Sequence, residues 1–346
     1  MKKITALLLS ALLSLTALTA CSTSETVEET APEVEAEVEA EVDVATGATA
    51  DPVDMHIMAM SGPTAMGMVY MMNENDEGNL TDNNYTFTIA TAIDEVTPQI
   101  VSGSAAIAAV PANVASALYN STEGGVTVLA INTLGVLYIV ESGDTVSSID
   151  DLAGQTIYAS GKGGTPEYAL NYILEANGLT DSVTVEWKSE QAEVVAALAA
   201  TENAIAMLPQ PFATTAQMSN DTIRVALDLT AEWDATDSEG MLVTGVVVGN
   251  TAFVEANPHA VDAFLANYET SINFVNDNLA EGAALVGQYG IVPEAVALQA
   301  LPYCSITYMD GAEMEAALTG YLAELFAQNP TAIGGAMPEA DFFYGI

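Results

Sequence analysis

Positive charge is almost missing from this chain: five of its 346 residues are Lys or Arg, against 47 Asp or Glu. Two of the five, Lys2 and Lys3, stand at the very start, and beyond residue 21 only Lys162, Lys188 and Arg224 remain, which leaves a net side-chain charge of −44. Such a surface repels phosphate backbones and anionic headgroups, which excludes nucleic acid and polybasic membrane attachment as partners. Cysteine is scarcer still, with Cys21 and Cys304 alone. If Cys21 is modified, as argued next, no internal disulfide is possible, and Cys304 in the apolar LPYCSITY is expected to be a buried structural thiol. With two histidines, His56 and His259, and one remaining cysteine, a His/Cys zinc site lacks ligands, so no metal is expected. There is no G-x-S-x-G, and the lone lysine among glycines fails G-x-x-x-x-G-K-[ST], because Thr156 and Gly163 stand at required positions. No catalytic residue and no cofactor is assigned.

Apolar residues make up 50% of the chain, enough to bury a large core and to build two lobes. Residues 1–21, MKKITALLLSALLSLTALTAC, have a short basic start, an apolar run with small residues and then Leu18-Thr19-Ala20-Cys21. This resembles a bacterial lipoprotein signal with its lipobox. A spanning anchor fits less well, since the run is short, broken by Ser and Thr and lacks a basic flank. Residues 1–20 are therefore expected to be removed, Cys21 to carry the lipid, and the protein to be held at the outer face of the bacterial cytoplasmic membrane by that lipid alone. Residues 21–52 alternate acids with Val and Ala, contain no aromatic residue and are expected to form a disordered tether. About 31 such residues reach roughly 30 Å.

From Val53 onward, runs rich in Val and Ile alternate with helical patterns. Strands are expected at 54–60, 85–90, 105–111, 126–132, 155–160, 183–189, 204–211, 223–229 and 241–250, with helices at 64–74, 94–103, 112–121, 166–176 and 190–201. Strand and helix in alternation mean βαβ units and mainly parallel sheets, one in each of two lobes. Asn257 and Pro258 start a further helix, whose Val261, Phe264, Leu265, Tyr268, Ile272 and Val275 share one apolar face.

Several segments resemble the substrate-binding proteins of bacterial ABC importers, in the group that includes the nitrate, sulfonate, taurine and thiamine-precursor binders. They are SGPTAMGMVYMM, IVSGSAAIAAVPANVASALYN, IDDLAGQTIYASGKGGTPEYAL, AIAMLPQPFATTAQ and FVEANPHAVDAFLANY, in that order from residue 61 to 268. The resemblance implies an α/β, two-lobed periplasmic-binding-protein type II fold with ligand gripped between lobes. Lobe one is then discontinuous, 53–140 and 242–346, and lobe two is 141–241. It implies a monomer that captures a small organic molecule, sulfonate-, nitrate- or taurine-like or a thiamine-precursor pyrimidine, and delivers it to an ABC permease and its ATPase without catalysis. An enzyme of thiamine-pyrimidine synthesis and a ligand sensor for a membrane receptor are the alternatives. The first lacks its cysteine cluster here, and a neighbouring permease gene separates importer from sensor.

In open α/β sheets, ligands lie beyond the carboxyl ends of the strands. That places Ser61, Gly62, Pro63 and Thr64 after the first strand, and Ser160, Lys162, Gly163, Gly164 and Thr165 after the fifth, at the cleft. Thr165 is expected as N-cap, with Pro166 at N1, Glu167 complementing the dipole and Gly178 just past the helix end. The amides of Gly163 and Gly164 are candidates to bind an anionic or carbonyl group, with Lys162 beside them. The alternative is a neutral or cationic ligand, with Lys162 at the surface. Asn113, Asn132, Thr133, Gln210 and Phe212 fall at other strand ends, and Met66 is expected to line core or cleft.

Overall fold

The computed structural model describes residues 51–346 apart from Asp237 and Glu239. The expected signal peptide, the lipid acceptor Cys21 and all but the last two residues of the acidic tether lie outside the described residues.

The chain first alternates through β1 (Asp54–Met60), α1 (Pro63–Met66), α2 (Val69–Asp76), β2 (Asn84–Ala90), α3 (Ile93–Ser102), β3 (Ile107–Pro111), α4 (Ala112–Thr122) and β4 (Val126–Thr133). It continues with β5 (Leu137–Ser142), β6 (Thr156–Ser160), α5 (Thr165–Ala176), β7 (Thr184–Lys188), α6 (Gln191–Ala200), β8 (Ile205–Pro209), α7 (Phe212–Ser219), β9 (Ile223–Asp228) and α8 (Leu229–Asp234). The remainder is β10 (Gly245–Asn250), α9 (Thr251–Ala256), α10 (Pro258–Asp277), α11 (Leu279–Gln288), α12 (Glu294–Ala300), β11 (Ile306–Met309) and α13 (Gly311–Gln328). No described helix is long and apolar enough to cross a membrane.

Two sheets result, ordered β11-β4-β10-β3-β1-β2 and β7-β6-β8-β5-β9. β1 pairs in parallel with β2 and β3, and β6 with β7 and β8, as βαβ units require. Each sheet is nonetheless mixed: β10 runs antiparallel between β3 and β4, β5 runs antiparallel between β8 and β9, and β11 adds an antiparallel edge. β5 and β10 are the strands by which the chain enters the second sheet and returns to the first. The change of sheet falls at 134–136, ahead of the boundary expected at 140, because Leu137 already pairs with Pro209 and Tyr138 with Leu208 and Asp228. The return runs between Asp234 and Gly245.

The helix expected over 64–74 is interrupted at Gly67 and Met68. The Ser271 hydroxyl, on α10, donates to the Gly67 carbonyl at 2.7 Å and accepts from the Met71 amide at 2.9 Å, taking over bonds a continuous helix would make within itself. A side chain at Gly67 would press on Ile272 at 2.9 Å. The apolar face expected on α10 is buried throughout, from Val261 to Val275. At α5 the N-cap is Gly164, so Thr165 and Pro166 sit one position deeper than expected, and Gly178, with φ 68°, follows the C-cap Asn177. Left-handed backbone at that point favours glycine.

One core runs through both sheets. Val110, Val128 and Ile131 of the first and Ile139, Ile157 and Met207 of the second belong to the same cluster, joined through Trp233, Leu242, Val243 and Tyr321. The outer faces have separate cores: α2, α10 and α11 cover the first sheet, and α6 and α7 cover the second.

Candidate functional site

β1 to β4 point one way in the first sheet, and β6 to β9 one way in the second, so each sheet has one edge of carboxyl ends. Both connections between sheets join those edges. β4 ends where β5 begins beside Pro209, and the return segment delivers β10 with Gly245 opposite Pro111 and Thr133. The two carboxyl edges therefore face one another across paired crossings, with Gln210 donating its amide to the Val136 carbonyl at 2.9 Å and Ala112 to that of Thr244 at 3.1 Å. The crossings also touch: a side chain at Gly135 would press on Leu242 of the return at 3.0 Å, and on the Thr230 hydroxyl of α8.

The expected site residues divide at this edge. Ser61, Pro63, Thr64, Lys162, Gly163, Gly164 and Phe212 keep exposed surface there, Phe212 at 38%. Gly62 has φ 125°, which permits the turn into α1 and is closed to most side chains. Thr64 donates its hydroxyl to the Met60 carbonyl at 2.8 Å, closing the same turn. Ser160 is buried at the end of β6.

The others turn inward. Met66 is fully buried, with its sulfur 3.9 Å from that of Cys304, so it belongs to the core and not to the cleft. Asn132 donates to the Thr64 carbonyl at 3.1 Å and the Tyr268 hydroxyl at 2.9 Å, and accepts from Thr133 at 3.1 Å. Asn113 reaches the Ala332 carbonyl at 3.4 Å. Gln210 accepts from the Thr214 amide and hydroxyl, and Thr165 accepts from Tyr321 at 3.1 Å. These polar groups are satisfied within the protein and fix the frame of the edge. Cys304 is buried as expected, and burial pushes its thiol up to about 12.

The glycine turn is occupied as well. The Gly163 amide donates to Glu167 Oε2 at 2.7 Å and the Gly164 amide to the Gly161 carbonyl at 3.1 Å, so neither is open to a ligand anion in this structure. Lys162 is exposed and makes no ion pair with the described residues. Replacing Lys162 by alanine is expected to change stability by less than about 0.5 kcal/mol. A larger loss in urea melts would reveal a partner for it.

The same arrangement recurs along the edge, unnoticed in the sequence. Glu95, at the start of α3, accepts from the Thr91 hydroxyl at 2.9 Å and from the Ala92 and Thr91 amides at 3.1 and 3.2 Å. Those bonds, the Thr91 hydroxyl first, hold its carboxyl below the usual range. Glu193 accepts from the Ser189 amide at 2.9 Å, and Asp228 from that of Thr230 at 2.9 Å. The signal is legible in retrospect: each glutamate stands three residues after its N-cap. Three buried oxygens, Gln191 Oε1, Thr230 Oγ1 and Thr244 Oγ1, have no hydrogen-bond partner among the described residues. All three lie where helices or β10 begin at the carboxyl edges. Among the described residues no cluster of His, Cys, Asp and Glu suits a metal ion.

Residues 123–281, somewhat under half of the chain, match the family described as NMT1/THI5 like. No curated protein matches the sequence. Among solved structures, an ABC transporter protein from Parabacteroides distasonis is similar at TM-score 0.70 and 20% identity, over 84% of this chain and 98% of that one. The periplasmic aliphatic sulphonate binding protein SsuA from Escherichia coli is similar at 0.67 and 16%, over 84% and 96%. The periplasmic nitrate-binding protein NrtA from Synechocystis PCC 6803 is similar at 0.59 and 12%, over 81% and 82%. The fold of this chain is that of the periplasmic binding proteins, type II.

Proposed function

We propose that the chain is the solute-binding component of an ABC importer, holding a small organic molecule between its lobes and handing it to a membrane permease driven by an ATPase. The observation that carries this reading is the meeting of two carboxyl edges across paired crossings, the place where open α/β sheets bind ligands. Closure is the mechanism. A ligand that touches both edges only when they approach shifts the open–closed equilibrium by its differential affinity. No step needs a nucleophile or a general base. In this reading the first sheet and its helices form lobe one, discontinuous in sequence, the second sheet from β5 to β9 forms lobe two, and the protein acts as a monomer.

Export and anchoring belong to the same proposal: residues 1–20 are removed and Cys21 carries lipid at the outer face of the cytoplasmic membrane. Cys21→Ser should then release the protein from membranes and leave binding intact. The binding role itself is tested by thermal shift on the purified chain with small solutes of each charge class. One class should raise the melting point, by a free energy near 2.7 kcal/mol at a hundredfold excess over Kd. Chemical conversion of the bound solute would favour the enzyme instead.

A further inference from the structure

The two faces of the sheets hold the lobes together unequally. Side chains alternate across a strand, so each strand feeds both faces. On one face Val110 and Val128 of the first sheet share a core with Ile139 and Met207 of the second, and α4, α13, α5 and α8 contribute to that core. On the other face Ala109 and Leu129 belong to a core closed by α10, α11 and α12, while Val140 and Ala206 belong to a separate one closed by α6 and α7. No residue is common to those two cores, although α7 and α12 lie side by side where the lobes meet.

α13 belongs by sequence to the first lobe and is bonded to both. The Tyr321 hydroxyl donates to Thr165 Oγ1 at 3.1 Å, with both residues buried. Gln328 Nε2 donates to the Tyr168 carbonyl at 3.0 Å, and Asn329 Nδ2, just past the helix, to the Tyr168 hydroxyl at 3.1 Å. Thr165 and Tyr168 are on α5. The turn after α13 is fixed to α4: the Ser116 hydroxyl donates to the Ile333 carbonyl at 2.9 Å, and Asn120 Nδ2 to those of Ile333 and Ala336 at 2.8 Å. On the opposite face one side-chain hydrogen bond joins the lobes among the described residues, from the Tyr138 hydroxyl on β5 to the Tyr303 carbonyl after α12, at 3.0 Å. Met218 on α7 and Leu298 on α12 remain 44% and 48% exposed.

Parting the lobes on the α13 face would carry Tyr321 and Trp233, each at most 1% exposed, into water and break the three bonds that reach α5. Parting them on the face of α7 and α12 breaks one hydrogen bond and divides no core. We propose that α13 is a fixed strap about which the lobes turn, and that the protein opens on the face of α7 and α12, with the Tyr138–Tyr303 bond as its latch. Motion of this kind is hinge bending, taken up between bodies that stay rigid. This rests on the lobes closing as proposed above and gives that closure its axis; no particular solute is needed.

Distances between paired spin labels, measured by double electron–electron resonance on the full-length chain, test it. Cys21→Ser removes one native thiol, and the other, Cys304, is buried and escapes the label. One pair, Ser121→Cys with Asn171→Cys, joins α4 to α5 across the strap; the other, Ala284→Cys with Ala199→Cys, joins α11 to α6 on the opposite face, and all four positions are exposed. The strap pair should show one narrow distance. The opposite pair should show a short and a long population, the long one rising about fivefold in Tyr138→Phe, the size of one hydrogen bond, while the strap pair stays unmoved. Circular dichroism matching the unlabelled chain shows that each variant is folded. Two populations or a broad spread at the strap pair overturns the strap and leaves closure standing. A long population that ignores Tyr138→Phe overturns the latch. One narrow distance at both pairs, unmoved by Tyr138→Phe, removes strap and closure together, and solute binding then stands or falls on the thermal shift alone.

Discussion

Arg224→Ala is expected to lower the unfolding free energy by about 2–4 kcal/mol at neutral pH, a large fraction of a typical domain's stability. Its partner, Glu141, has a side chain with no exposure at all, on β5 beside the turn 143–146. That carboxylate accepts from the Thr145 amide and hydroxyl and from the Val146 amide at 2.8–3.2 Å, and from the Arg224 guanidinium. The guanidinium also donates to the Gly143 carbonyl at 3.3 Å. Without it a buried negative charge stands with only neutral donors; the figure is set below that of a fully buried pair because the arginine side chain is 36% exposed and water partly replaces it. Burial alone would raise the Glu141 carboxyl, but the Thr145 and Val146 bonds and the arginine outweigh it and hold it below the usual glutamate range. A lowered folded value contributes stability above the unfolded pKa, near 4.3, which is lost as pH falls through the folded value. The difference between wild type and variant should therefore shrink below about pH 4. Urea melts at pH 7 and pH 3.5 measure it, and a difference equal at both would show that charge is not the cause.

Trp233→Ala is expected to cost about 3–5 kcal/mol, the range for deleting a buried large aromatic side chain. The indole is 1% exposed, its ring centre 4.4 Å from that of Tyr172 on α5 and 5.8 Å from that of Tyr321 on α13, and its Nε1 donates to the Gly240 carbonyl at 2.7 Å. It thus ties the return crossing to helices of both lobes. Gly240 is fitted so closely to α13 that a side chain there would fall on the backbone of Gly320 and Tyr321. Losing the indole should uncouple the lobes, and calorimetry should show the single transition broadening or splitting into two. Trp233→Phe, which keeps most of the ring contact and loses the hydrogen bond, should cost about 1–2 kcal/mol and retain one transition. A sharp single transition in Trp233→Ala would mean that the other shared contacts suffice.

The strands were legible where an apolar run ended in a turn signal: β1 lies at 54–60 as expected, and β8 and β9 fall within the expected runs. β5 was not, since VLYIVES follows an apolar strand after only Leu134 and Gly135, and an apolar run does not say which sheet it joins. At the cleft, position along the chain was legible and direction was not. Asn132 and Gln210 stand at strand ends, yet the partner that turns Asn132 inward, Tyr268, lies 136 residues away. The glutamates were the reverse case. Their bonds are local, three or four residues long, and Glu167 was noticed as a dipole partner without its bond to the Gly163 amide, which decides what the turn can bind.

The insertion of β10 between β3 and β4 also governs the order in which the lobes can be completed. β4 has all eight residues buried, and its neighbours are β10 and β11, neither of which exists until the chain beyond Thr244 has been made. The second sheet waits for nothing of the kind, because all its strands lie between Leu137 and Asp228. At about 5–20 residues per second, the stretch from Thr133 to Gly245 takes on the order of 10 s to synthesise. During that interval the later lobe can close, while VTVLAINT stands as an unpaired apolar strand, a surface prone to aggregation. That octapeptide is the natural place for a chaperone to hold the growing chain.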